Sequence, residues 1–207
     1  MAHFVLVHGA WHGAWCFGWL REELEDRGHD VETPELPGDS VGLDQRAYAE
    51  LIGPRPNSIV VGHSLGAQTA ALVEARCHVY LGGVLPVVER ASEAFAGGFG
   101  GFVRDEDGRS YWPDPDTAAA RLYPDCPRAT ADWAFPQLRP QAPFDTIVGA
   151  FGSRDVVLVT TEDAAIDPDW QRRTAKAHGA RCMEIRSGHS PFFTQPEELA
   201  DVLDRLA

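Results

Sequence analysis

Ser58-Ile59-Val60-Val61-Gly62-His63-Ser64-Leu65-Gly66-Ala67 decides how this chain reads. A short β-branched run ends in Gly-x-Ser-x-Gly, and a helix-forming run, Ala67 to Arg76, follows at once. That is strand, sharp turn, helix, with a serine at the turn. So tight a turn puts the serine in a strained backbone conformation, and bulk at Gly62 or Gly66 would strike the neighbouring strand or helix. The hydroxyl is then raised at the end of the strand, over the positive end of the new helix.

Outward from this stretch, five more short runs read as strands: Phe4 to Val7, His29 to Thr33, His78 to Leu85 (ended by Pro86), Val156 to Thr160 and Arg181 to Arg186. Several are apolar throughout, as in a strand buried on both faces. Between them lie amphipathic helical runs: Trp15 to Arg27 stopped by Gly28, Asp44 to Ile52 with Asp44 as cap, Pro168 to His178 closed by Gly179, and Pro196 to Leu206. Alternation of this kind predicts an α/β fold, a mainly parallel six-stranded sheet with helices on both faces. From Pro86 to Phe144 the pattern dissolves into prolines, glycines and aromatics, too apolar for disorder. This stretch reads as a small helical cap, residues 86–144, inserted in a core of residues 1–85 and 145–207. The cluster Gly97-Gly98-Phe99-Gly100-Gly101 reads as a lid hinge or a plain surface loop.

A chain of 207 residues suits one domain with a well-buried core. Its formal net charge of -13 repels phosphate backbones and anionic lipid, which argues against nucleic-acid and membrane-surface roles. Cys16, Cys77, Cys126 and Cys182 are scattered, with no Cys-x-x-Cys pair and no zinc-finger spacing, and read as reduced, mostly buried thiols. With no signal-like or spanning run, the expectation is a cytoplasmic protein that needs no metal or cofactor. A homodimer stays open.

Ser64, Asp163 and His189 each fall just past the carboxyl end of a predicted strand, where ligands collect in a parallel sheet. A serine hydroxyl attacks only if a base takes its proton, imidazole suits that task, and a carboxylate fixes the imidazole tautomer. Among eight histidines, His8 and His12 lie in the first loop and could line a pocket. His63 sits in the turn, with its side chain expected to point away from the serine. Glu162 and Asp155 rival Asp163 as the acid, but Glu162 should face the opposite way and Asp155 sits at the wrong strand end. Asp167 and Asp169 read as residues around a helix start. Two backbone N–H groups should form an oxyanion hole, that of Leu65 after the serine and that of Ala10 in the first loop.

The segment Phe4 to Trp15, with its His8-Gly9-Ala10-Trp11-His12-Gly13-Ala14-Trp15, together with Gly62-His63-Ser64-Leu65-Gly66, resembles the α/β-hydrolase subgroup of plant methylesterases and hydroxynitrile lyases and their bacterial esterase relatives. Thr161-Glu162-Asp163 and Gly188-His189-Ser190-Pro191-Phe192 match the same subgroup's acid and histidine segments. The resemblance implies Ser64 as nucleophile, His189 as base, Asp163 as acid, Ala10 and Leu65 as oxyanion donors, and a small-molecule ester as substrate. The cap looks short for the family, and it carries substrate choice. Cyanohydrin-cleaving members place threonine where this chain has Gly9 and lysine where it has Ser190, so ester hydrolysis is favoured over lyase chemistry. A non-catalytic small-ligand binder on the same fold is a third reading. The pocket is expected to be apolar, walled by Gly9, Trp11, His12, Trp112, Trp133 and Phe192.

Overall fold

Alternation along the buried strands sorts side chains onto two faces. In the computed structural model, which describes residues 1–87, 94–95, 100–144 and 151–207, strand β1 (His3–Val7) sends Phe4 and Leu6 to one side and Val5 and Val7 to the other. Helix α1 (Gly18–Asp26), entered through a 3-10 turn at Ala14–Phe17, covers the first side with Leu20 and Leu24. Helix α2 (Gln45–Ile52) covers the second with Tyr48 and Ile52. Each wholly buried Leu, Phe or Val side chain contributes roughly 1.5–3 kcal/mol by leaving water, so the two faces together fix the register.

The remaining strands are β2 (Asp30–Glu32), β3 (Arg55–His63), β4 (Ala75–Leu81), β5 (Val103–Arg104), β6 (Ser110–Tyr111), β7 (Val156–Thr160) and β8 (Arg181–Ile185). Six of them form one parallel sheet in the order β2-β1-β3-β4-β7-β8. The chain leaves β1 toward β2 and returns on the other side to β3, so the loops after β1 and β3 part at a topological switch point. Helix α3 (Gly66–Ala70) follows β3, α6 (Pro168–His178) packs its Trp170 and Ala175 beside Val157 and Val159, and α7 (Pro191–Thr194) and α8 (Pro196–Asp204) pack against α1.

Most predicted ends agree to within a residue or two: Asp44 caps α2 by accepting from the Arg46 and Ala47 N–H groups, and Gly179, at φ 70°, closes α6. The helix after Ser64 does not. It was expected to run to Arg76 but ends at Ala70, and β4 spans Ala75–Leu81 rather than His78 to Leu85. Arg55 N–H donates to Glu74 O, and β3 pairs with β4 from Ala75 onward, so strand pairing takes residues that propensity alone assigns to a helix.

The insertion between β4 and β7 holds α4 (Pro115–Leu122), α5 (Arg128–Ala134) and the hairpin β5-β6, which the sequence pattern did not announce. Gly97, Gly98 and Phe99 lie outside the described residues, as does the expected return to the core at position 145. The cysteines are all free, but only Cys16 is buried and Cys182 is exposed, against the expectation of mostly buried thiols. No helix among the described residues is long and apolar enough to cross a membrane.

Candidate active site

The turn at Ser64 is strained as its glycines demand. Only two non-glycine residues among those described have positive φ, Ser64 at 52° and Trp11 at 63°, one in each switch-point loop. A Cβ built on Gly62 would lie 2.6 Å from Ala67 Cα and Gly66 O, and one on Gly66 would strike Val7 O and His8 O. The main chain of Ser64 is fixed on both sides: its N–H donates to Leu81 O at 3.1 Å, and its carbonyl accepts from Val84 N–H at 3.0 Å and Ala67 N–H at 3.2 Å. The Ala10 and Leu65 N–H groups carry no hydrogen bond among the described residues, so both remain available to an oxyanion.

Asp163 follows β7 and is buried. Its Oδ1 accepts from the N–H groups of Ala165 at 2.8 Å and Ile166 at 2.9 Å, and its Oδ2 from Thr160 Oγ1 at 2.7 Å. Those three donors orient the carboxylate, and His189 Nδ1 donates to the same Oδ2 at 2.8 Å. The rivals go elsewhere: Glu162 faces outward and accepts from Arg186, Asp155 pairs with His78, and Asp167 caps α6. The loop of His189 is tied down further, since Ser187 O accepts from Glu162 N–H at 3.0 Å. With Nδ1 committed, His189 keeps Nε2 for a proton. No hydrogen bond links Ser64 Oγ to that ring among the described residues. Such links are commonly long before substrate binds and tighten in the complex.

Gly82 stands beside the candidate site, and sequence reading missed it. At φ 50°, a Cβ there would meet Thr160 Oγ1 at 3.0 Å, Asp163 Oδ2 at 3.1 Å and His189 Nδ1 at 3.6 Å, so glycine leaves the room in which acid and imidazole meet. The signal was present as Gly82-Gly83 at the end of a strand. His63 is the other omission. Its ring does not simply turn away: Nε2–H donates to the carbonyl of His189 at 2.9 Å, and the two ring centroids are 4.7 Å apart. Burial, then the neighbouring His189 and His12, push its pKa well down, so it is a neutral prop.

Gly9 abuts the serine, since a Cβ there would lie 2.8 Å from Ser64 Cβ. Trp11 is buried, its indole N–H donates to Ser110 O at 3.0 Å, and its ring lies 5.1 Å from that of Trp112. His12 and Phe192 differ from open pocket walls. Phe192 is wholly buried against Phe17, His63 and Phe193. Both nitrogens of His12 are engaged, by Ala10 O and Tyr123 Oη. Trp133, 47% exposed, stacks on Trp19 and meets Trp15 and Phe193, so its ring belongs to an outward aromatic patch. Among the described residues no cluster of His, Cys, Asp or Glu could hold a metal.

A family profile described as "Alpha/beta hydrolase family" matches residues 4–202. Among curated proteins, the chain is similar to methylesterase 1 of Arabidopsis thaliana, 26% identical over 251 aligned positions covering 99% of this chain and 95% of that protein. It is likewise similar to the carbendazim hydrolyzing esterase of Nocardioides sp. (strain SG-4G), 28% identical over 249 positions covering 100% of each. Among solved structures, tomato methylketone synthase I complexed with 2-tridecanone superposes with a TM-score of 0.80 at 22% identity, covering 99% of this chain and 97% of that one, which speaks for the fold alone.

Proposed function

Because the chain belongs to the alpha/beta hydrolase family, we propose that it is a serine carboxylesterase working through an acyl-serine on a small, largely apolar ester. The observation that carries this reading is the oriented Asp163–His189 pair, with a free imidazole nitrogen at the same sheet rim as the strained Ser64. The esterase names of two relatives that span the whole chain agree with it.

In the proposed reaction His189 Nε2 takes the Ser64 proton as Oγ bonds to the ester carbonyl carbon. Asp163 holds the proton on Nδ1 and stabilises the imidazolium that forms. The carbonyl oxygen, now negative, is held by the Ala10 and Leu65 N–H groups, each worth about 2.7–4 kcal/mol in the transition state. The imidazolium returns its proton to the departing alcohol, and a water molecule, deprotonated by the same ring, releases the acid and restores Ser64. Buried Trp11 and Trp112, with Phe102 beside them, supply the apolar wall.

Cyanohydrin cleavage through a hydroxyl at position 9 is disfavoured, because a side chain there would collide with Ser64 unless the backbone moved. The test is p-nitrophenol release from short acyl esters. Wild type should turn over and Ser64→Ala should not; aldehyde release from mandelonitrile in the absence of esterase activity would instead favour the lyase.

A further inference from the structure

Two anchors of the site come from a place without an assigned role, the turn between α4 and α5. That turn is closed by Cys126 N–H donating to Tyr123 O at 3.1 Å.

Asp125 lies in the turn, exposed at the surface, yet its carboxylate reaches the buried loop that carries His189. Its Oδ2 accepts from Gly188 N–H at 2.7 Å, Ser187 Oγ at 3.0 Å and Thr194 Oγ1 at 3.3 Å. Asp125 forms no ion pair among the described residues, so its charge is spent on neutral donors, two of them from the residues just before His189. A Cβ on Gly188 would overlap Asp125 Oδ1, so glycine at 188 and aspartate at 125 fit as a pair. Tyr123, buried in the same turn, donates its O–H to His12 Nε2 at 2.8 Å. His12 Nδ1 lies 2.9 Å from Ala10 O, which can only accept, so the ring proton sits on Nδ1. Burial above all lowers the His12 pKa to about 3, so the ring is neutral and has one proton to place. The phenol, as donor to Nε2, therefore supports the tautomer whose Nδ1–H pins the Ala10 carbonyl.

One turn thus holds both parts that must stay in register while Ser64 is acylated: the imidazole loop and the oxyanion loop. We propose that the Tyr123–Cys126 turn is the positioning element of the site, with Asp125 fixing the His189 loop and Tyr123, through His12, fixing Ala10. The proposal rests on the acyl-serine reading above. Neither side chain touches substrate; each acts through another residue. Misplacement by about 1 Å can cost about 10²-fold in rate, which sets the scale.

The experiment compares wild type with Asp125→Ala, Asp125→Asn and Tyr123→Phe by steady-state kinetics on p-nitrophenyl acetate, thermal melting, and deuterium exchange over residues 186–190. Asp125→Ala should lower kcat by about 10–100-fold and Tyr123→Phe by about tenfold, with KM within about threefold of wild type. Asp125→Asn should recover most of the rate, because its amide oxygen still accepts from Gly188 N–H. Exchange at residues 186–190 should quicken in Asp125→Ala while α8 stays protected. Retention of kcat within twofold in both Asp125→Ala and Tyr123→Phe, or an Asn variant no better than Ala, overturns the proposal. If wild type hydrolyses no ester, the esterase reading fails separately and exchange decides. Faster exchange confined to residues 186–190 in Asp125→Ala supports the brace, and unchanged exchange overturns it.

Discussion

A histidine and an aspartate meet at each end of the sheet. At the carboxyl ends of the strands, His189 Nδ1 lies 2.8 Å from Asp163, with side chains 2% and 0% exposed. At the amino ends, His78 Nδ1 lies 3.1 Å from Asp155, with side chains 17% and 11% exposed. The second nitrogen distinguishes them. His78 Nε2 lies 3.0 Å from Val73 O, so both ring nitrogens face acceptors, an arrangement that favours the doubly protonated ring. Burial opposes that charge, but Asp155 and the Val73 carbonyl outweigh it and the pKa is raised. His189 has one nitrogen committed and one in reserve, beside a loop that strains a hydroxyl into place. A buried histidine–aspartate pair is therefore no sign of catalysis by itself. What matters is whether a nitrogen is left over and what stands opposite it.

The sharpest way to break this comparison is to neutralise the two acids in parallel. Asp163→Asn should lower kcat on the order of 10³–10⁴-fold, because the wrong imidazole tautomer is then favoured. Asp155→Asn should leave kcat within about twofold and cost about 1–3 kcal/mol of stability, read by urea denaturation. Equal losses of activity in both variants would erase the distinction.

A smaller effect is expected from the glycines near each pair. Gly82→Ala should lower kcat by about 10–100-fold and reduce stability, because its Cβ would press on Thr160 and Asp163 from a backbone that disfavours side chains. Gly152→Ala, beside Asp155, would meet only His178 O at an ordinary 3.7 Å and should change stability by less than about 0.5 kcal/mol.

The dependence on pH is read in stability rather than in activity. Burial chiefly lowers the pKa of His8, His12 and His63, that of His12 to about 3. Below about pH 6.5 the unfolded chain takes up protons that these folded rings refuse, so stability falls as pH drops below that value; for His12 the fall is about 1.4 kcal/mol per pH unit and continues to about pH 3. His78 runs the other way: its contribution is complete below about pH 6.5 and is lost as pH rises through its raised value. Equilibrium unfolding in urea across this range should show a slope that flattens in His12→Gln, and an unchanged slope would contradict the assignment of a neutral ring.

The frame was legible because it is written in local periodicity. Buried strands show as apolar runs, and Asp44, Gly28 and Gly179 mark helix ends where capping chemistry puts them. The site was legible to the extent that it follows strand ends, which is why Ser64, Asp163 and His189 stand out. Contacts between distant segments were not legible. Nothing near Asp125 says that its carboxylate reaches Gly188, 63 residues on. Nothing near His63 says that it props the carbonyl of His189. The short α3 was misread because pairing of β4 with β3 overrides the helix-forming tendency of residues 71–76.

The most direct test maps the serine that reacts. Incubation with a fluorophosphonate, followed by peptide mass mapping, should place the adduct on Ser64, with labelling slowed at least about 10³-fold in His189→Ala and essentially unaffected in His78→Ala. An adduct on another residue, or labelling of Ser64 that ignores the loss of the His189 ring, would contradict the account.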